Sequence, residues 1–125
     1  MILDTNALSE YLKGQPAVVA TVAQSPQVFL PAIVLGEYRY GLAYSQVRDI
    51  LTPQLDEYER LFAVLNIDAV TARYYAMARG VLRAKGRPIP TNDLWIAALA
   101  RQHALPILSR DAHFDAVDGV RRIGW

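Results

Sequence analysis

Thr91-Asn92-Asp93-Leu94-Trp95-Ile96-Ala97-Ala98-Leu99-Ala100-Arg101-Gln102-His103-Ala104-Leu105-Pro106-Ile107-Leu108-Ser109-Arg110-Asp111 reads as a helix, a short turn and a buried strand. Thr91 and Asn92 are both good helix caps. Leu94 to Ala104 is rich in the strong helix formers Leu and Ala. Pro106 cannot continue a helix, and Ile107-Leu108 is the start of a short apolar strand. A carboxylate sits at each end of the unit: Asp93 in the first helical turn and Asp111 just past the strand. In open α/β sheets ligands bind outside the carboxyl ends of the strands, which is where Asp111 falls. The first strand of the chain, Met1 to Leu3, delivers Asp4 in the same way.

Working outward, short apolar segments alternate with helical ones. Thr5 or Asn6 can cap a helix over residues 7–13 that Gly14 ends. Pro16 suits the first turn of a second helix, residues 17–24. Val28-Phe29-Leu30 is a second strand, and Pro31 opens a helix running to about Tyr44. Leu55, Tyr58, Leu61, Phe62 and Leu65 recur at helical spacing as one apolar stripe. Asn66-Ile67 is a candidate third strand. Residues 71–84 are helical and end at the Lys85-Gly86-Arg87-Pro88 turn. Arg121 to Ile123 is a candidate edge strand. This alternation predicts one α/β domain over residues 1–125: a mostly parallel central sheet flanked by helices, α/β/α.

Composition narrows the chemistry. With 125 residues and 53% hydrophobic content, the chain can bury one real core. Its net charge of +1 and pI near 8.0 leave any basic surface to be local. The absence of Cys excludes disulfides, thiolate metal sites and Cys nucleophiles. Met1-Ile2-Leu3-Asp4 has no signal-peptide pattern, and no stretch approaches the ~20 apolar residues of a membrane span. A cytoplasmic protein without membrane association is the expectation. There is no Gly-x-x-x-x-Gly-Lys phosphate loop and no Gly-x-Ser-x-Gly elbow, which disfavours nucleotide-triphosphate and serine-hydrolase chemistry.

Four carboxylates stand apart. Asp4 and Asp111 leave parallel strands at the same sheet edge, where Asp4 could also simply cap a helix or sit in a turn and Asp111 could simply start one. Asp93 lies at a helix start, where it could also simply complement the helix dipole. Glu37 lies amid Ile33, Val34, Tyr40 and Gly41 on its own helix, an apolar setting that disfavours a charge unless an Arg such as Arg39, or a metal, pairs with it. Oxygen-only clusters suit hard cations, Mg²⁺ or Mn²⁺. Such sites direct activated water at a phosphodiester. Asp115 is a weaker, surface candidate.

Leu3-Asp4-Thr5-Asn6, Gly36-Glu37, Thr91-Asn92-Asp93-Leu94-Trp95-Ile96-Ala97 and Ser109-Arg110-Asp111-Ala112-His113-Phe114, in that order, resemble the signatures of PIN-domain ribonucleases. The nearest likeness is to the VapC toxins of toxin–antitoxin pairs. The resemblance implies that Asp4, Glu37, Asp93 and Asp111 form an acidic quartet holding Mg²⁺ or Mn²⁺, with Thr5, Asn6 and Ser109 as supporting polar groups. It further implies endoribonuclease activity on structured or messenger RNA, a homodimer, and inhibition by a VapB-type antitoxin.

Arg79, Arg83, Lys85 and Arg87 form a basic cluster that could contact RNA phosphates or simply face solvent. Tyr38, Tyr40 and Tyr44 read as core or dimer-interface residues. His103, late in a helix, suits the dipole, and His113, near Asp111, could neighbour a metal but reads first as a capping or surface residue. Two rivals remain: the same fold kept as an inactive RNA-binding or partner-binding scaffold, and a small-molecule phosphatase. The second lacks the Asp that aspartate-nucleophile phosphatases carry two residues beyond the first.

Overall fold

The computed structural model describes residues 1–125. Five strands make one fully parallel sheet: β1 (Ile2–Leu3), β2 (Phe29–Pro31), β3 (Ala63–Leu65), β4 (Ile107–Leu108) and β5 (Arg122–Ile123), in the order β3-β2-β1-β4-β5. Ile2 sits opposite both Phe29 and Ile107, and Leu3 opposite Leu108. β1 is therefore central, and Ile2, Leu3, Ile107 and Leu108 are all fully buried. Two residues suffice for such a strand because neighbours on both sides satisfy its backbone.

The helices are α1 (Thr5–Leu12), α2 (Pro16–Ala23), α3 (Ala32–Ala43), α4 (Arg48–Leu61), α5 (Ala69–Ala84) and α6 (Thr91–His103). From β1 the chain winds outward through α1 and α2 to β2, then through α3 and α4 to β3. It returns through the packed pair α5 and α6 to β4, on the other side of β1. Right-handed crossovers place these two groups of helices on opposite faces of the sheet, giving the expected three layers. The winding direction reverses between β1 and β4, and the carboxyl ends there form the crevice where such sheets bind ligands.

Several local expectations are corrected. Asp4, rather than Thr5 or Asn6, caps α1: its Oδ1 accepts from the Ala7 amide at 2.9 Å. Thr91 and Asn92 lie inside α6, whose cap position is Pro90 with no side-chain bond, so Asn92 is free for another role. The third strand is Ala63–Leu65, and Asn66-Ile67 follows it. The helical spacing of Phe62 and Leu65 with Leu55 misled because α4 ends at Leu61; of that stripe Leu55 is buried while Leu61 is exposed. Tyr58 and Phe62 instead pack on Tyr11 of α1. The second strand begins one residue late and includes Pro31, whose missing N–H is tolerated at the strand-to-helix junction. α5 begins with a reciprocal capping box between Asp68 and Thr71. No helix is long and apolar enough to cross a membrane.

Candidate active site

Asp4 leaves β1, and Asp111 follows β4 by three residues, with Ser109 and Arg110 between. Glu37 projects from the middle of α3 and Asp93 from the first turn of α6. All four line one open cleft of about 680 Å³ at the carboxyl end of the sheet.

Asp4 is the most constrained of the four. It is 4% exposed and is held by three donors. These are the Ala7 amide at 2.9 Å, Asn6 Nδ2 at 2.8 Å and the Ser109 hydroxyl. Burial nonetheless raises its pKa from 3.8 to about 6, and repulsion from Asp93 and Asp111 adds to the rise. Ser109, fully buried, ties two strand ends together. Its Oγ donates to Asp4 and accepts the Asp111 amide at 2.8 Å. Asn6 closes the same loop, with its Oδ1 accepting from the Arg110 amide at 3.2 Å.

Glu37 is half-buried, and its carboxylate accepts from the Thr5 hydroxyl and from Asn92 Nδ2 at 2.6 Å. Arg39 does not pair with it; that guanidinium is held by Asp56 and Glu59. Thr5, Asn6 and Ser109 thus each donate to one of the four carboxylates. Asn92 is an orienting residue that sequence reasoning passed over as a cap.

His113 takes the second of its two expected places, beside the acids. Its Nδ1 lies 2.9 Å from Asp93 Oδ2 and 3.0 Å from Asp111 Oδ1. Because both partners accept, Nδ1 carries the hydrogen. Asp111 caps the short 3-10 helix Ala112–Ala116 by accepting the His113 amide at 2.9 Å, and that turn swings the ring back over both acids. The hydrogen bond to Asp93 raises the His113 pKa. Asp93 is itself raised, first by burial, with the His113 bond opposing and Asp111 and Glu37 repelling. The reading preferred for His113, capping or surface, gives way to the alternative that its two-residue step from Asp111 also offered.

The donor set fits a hard divalent cation. One atom each from Asp93, Asp111 and His113 lie within 4.8 Å of one another. Asp4 borders them closely enough to be repelled by both acids. Carboxylate oxygens predominate, as Mg²⁺ and Mn²⁺ prefer, with the half-exposed imidazole at the rim. Asp115 is directed elsewhere, paired through both carboxylate oxygens with Arg122 at 2.7 and 2.8 Å.

The basic cluster divides. α5 stops at Ala84 and Gly86 takes a positive φ of 65°, so Arg87 does not continue the Arg79–Arg83 row. Lys85 is bound to Asp118 at 2.8 Å. Arg79 and Arg83 line a separate cavity with Thr91 and Leu94 from the start of α6. Arg79 also donates to the Tyr75 hydroxyl at 2.9 Å. Of the tyrosines, Tyr38 belongs to the core, while Tyr40 and Tyr44 are 70% and 79% exposed on the single chain and stack edge to face on each other.

Residues 1–120 match the PIN domain family. The chain belongs to the PIN-domain family. Among PIN-domain relatives, it is 32% identical to ribonuclease VapC5 of Mycobacterium tuberculosis, over 98% of this chain and 90% of that protein. It is 36% identical to toxin FitB of Neisseria gonorrhoeae, over 89% of this chain and 87% of that one. The crystal structure of FitAcB from Neisseria gonorrhoeae superposes with a TM-score of 0.87 at 34% identity, covering 98% of this chain and 95% of the other. This PIN domain therefore shares its α/β architecture, nearly end to end, with proteins of the VapC and FitB kind.

Proposed function

We propose that this chain is a Mg²⁺- or Mn²⁺-dependent endoribonuclease and the toxin of a type II toxin–antitoxin pair. The observation that carries this is the convergence of Asp4, Glu37, Asp93 and Asp111 on one cleft at the switch point of the sheet. The names of the relatives support the activity: ribonuclease VapC5, toxin FitB, and a tRNA(fMet)-specific endonuclease VapC of Shigella flexneri at 29% identity over 99% of this chain. The FitAcB superposition and the toxin names support an antitoxin partner of the VapB type. A homodimer is the expected form of the toxin itself.

Asp4, Asp93 and Asp111 would hold the cation directly, with Glu37 completing the ring from α3. When bound, the ion supplies Lewis acidity that polarises the phosphodiester and acidifies water. The chain supplies the rest. Ser109 and Asn6 fix the direction of the Asp4 carboxylate, and Thr5 and Asn92 fix Glu37. His113 sits where it can neutralise Asp93 and Asp111 when no cation does. Arg79 and Arg83 are secondary RNA contacts in this scheme, and Lys85 and Arg87 weaker ones. A catalytically silent scaffold is disfavoured, because burying Asp4 against two other acids lowers stability without serving a mere binding surface.

The test is cleavage of end-labelled RNA by the purified chain. Cleavage with Mg²⁺ or Mn²⁺, its loss in EDTA, and its loss in Asp93→Asn prepared identically are expected. Equal cleavage by both proteins would refute the assignment.

A further inference from the structure

The carboxylate cleft has a second end with a different charge. Glu10 and Lys13 line it farther along α1, and Arg110 reaches it from the loop after β4. Both cations share a single oxygen: Lys13 Nζ lies 3.2 Å and Arg110 Nη2 3.6 Å from Glu10 Oε1. Two positive charges on one acid leave an excess of one. Lys13 and Arg110 are the only basic residues lining the cleft, and each side chain is more than half exposed.

Three cations elsewhere in the chain are held more fully. Arg39 spans two acids, Arg122 grips Asp115 with two nitrogens, and Lys85 reaches both oxygens of Asp118. The Arg110 guanidinium instead lies over the Trp125 ring at 5.2 Å, which limits its swing while leaving its donors available. The Arg110 amide is fixed by Asn6, the side chain that also donates to Asp4. At 1.5 Å per residue, Lys13 stands about 12 Å along α1 from Thr5. A stacked strand advances about 3.4 Å along its axis per phosphate, so that distance is a few nucleotides.

We propose that Lys13 and Arg110 are a phosphate grip for single-stranded RNA lying along the cleft, and that Glu10 is the internal counter-ion the phosphate displaces. This rests on the nuclease reading above. A polyanion approaching the acids meets repulsion everywhere in the cleft except at these two side chains. Exposed pairs with one acid are weak, so exchanging Glu10 for a phosphate costs little. The grip sets the direction in which the strand leaves the carboxylates.

The test is binding of a fluorescein-labelled random-sequence single-stranded RNA to the uncleaving Asp93→Asn chain, in magnesium, across a salt series. Lys13→Gln and Arg110→Gln should each flatten the slope of log affinity against log salt by about 0.7, and together by about 1.4. Arg110→Lys should restore the slope. Glu10→Gln should tighten binding, which a purely structural Glu10 would not do. Unchanged slopes, or weaker binding in Glu10→Gln, overturn the grip. If the wild-type chain still cleaves RNA in that case, the nuclease reading stands; if no form of the chain retains RNA, the grip falls, and a wild type that does not cleave removes the nuclease reading separately.

Discussion

The Ser109 hydroxyl donates to the Asp4 carboxylate, joining the ends of adjacent parallel strands. The same oxygen accepts the Asp111 amide at 2.8 Å, so one buried atom sets the spacing of two candidate metal ligands. Ser109→Ala should leave Asp4 short of a donor in a buried position, a loss of about 1–3 kcal/mol in stability. Metal affinity or activity should fall by about 10–100-fold, the usual cost of removing an outer orienting partner. Thermal melts and metal titrations of the variant check both.

Single substitutions Asp4→Asn, Glu37→Gln, Asp93→Asn and Asp111→Asn should each nearly abolish RNA cleavage. Asp118→Asn, which breaks only an exposed pair with Lys85, should stay within about twofold of wild type. Asp68 is a poor control, because it caps α5 and its loss would destabilise the fold. Any of the four variants with full activity is not a ligand.

The parallel sheet and four of its five strands were legible because short apolar runs alternate with helices that begin and end on Pro, Gly and Asp; the third strand was placed on Asn66-Ile67 instead of Ala63–Leu65. That Asp4, Asp93 and Asp111 would meet in one cleft was legible from two strand ends and a helix start, and Glu37 from its apolar neighbours on α3. What escaped depends on backbone detail that spacing does not carry. Asp4 both caps α1 and faces the cleft, so its capping and its site reading are not alternatives, and Thr5 and Asn6 do not cap. Phe62 and Leu65 match a helical period that α4 does not extend to cover. His113 reaches Asp93 only because a single 3-10 turn reverses the chain after Asp111. Glu10, Lys13 and Arg110 come together from positions about a hundred residues apart, beyond any local pattern.

In EDTA the protein should lose stability as pH rises from about 4 to above 7. Asp4, raised to about 6 when folded, keeps a proton in the native state that the unfolded chain has released above 3.8. Its contribution is therefore lost between those values, on the order of 3 kcal/mol. His113, also raised, adds stability that is present below its ordinary 6.5 and lost as pH climbs through the folded value. The lowered carboxylates Asp68, Asp115 and Asp118 act in the opposite sense, but only below about 4. Denaturant melts in EDTA at pH 5 and pH 8 should show the higher stability at the lower pH, because pH 5 lies below the folded Asp4 value of about 6 and pH 8 above it; the reverse order would contradict the burial of a charged Asp4.

Expression of the wild-type chain without a partner should slow growth of a bacterial host, and Asp93→Asn should relieve it. Growth counts at equal soluble protein level check this. Unimpeded growth with abundant folded wild type would separate the nuclease from the toxin role.

The claim that Asp4, Glu37, Asp93 and Asp111 form one cation site is tested most directly by thermal melting of wild type and Asp93→Asn, each in EDTA and in millimolar Mg²⁺ or Mn²⁺. In EDTA the variant should match or exceed wild type, because one repelling charge is gone while the shape is kept. With cation, wild type should rise by mass action, by about 2.7 kcal/mol at a hundredfold excess over the dissociation constant, and the variant by much less. A wild-type melt indifferent to either ion would contradict the site.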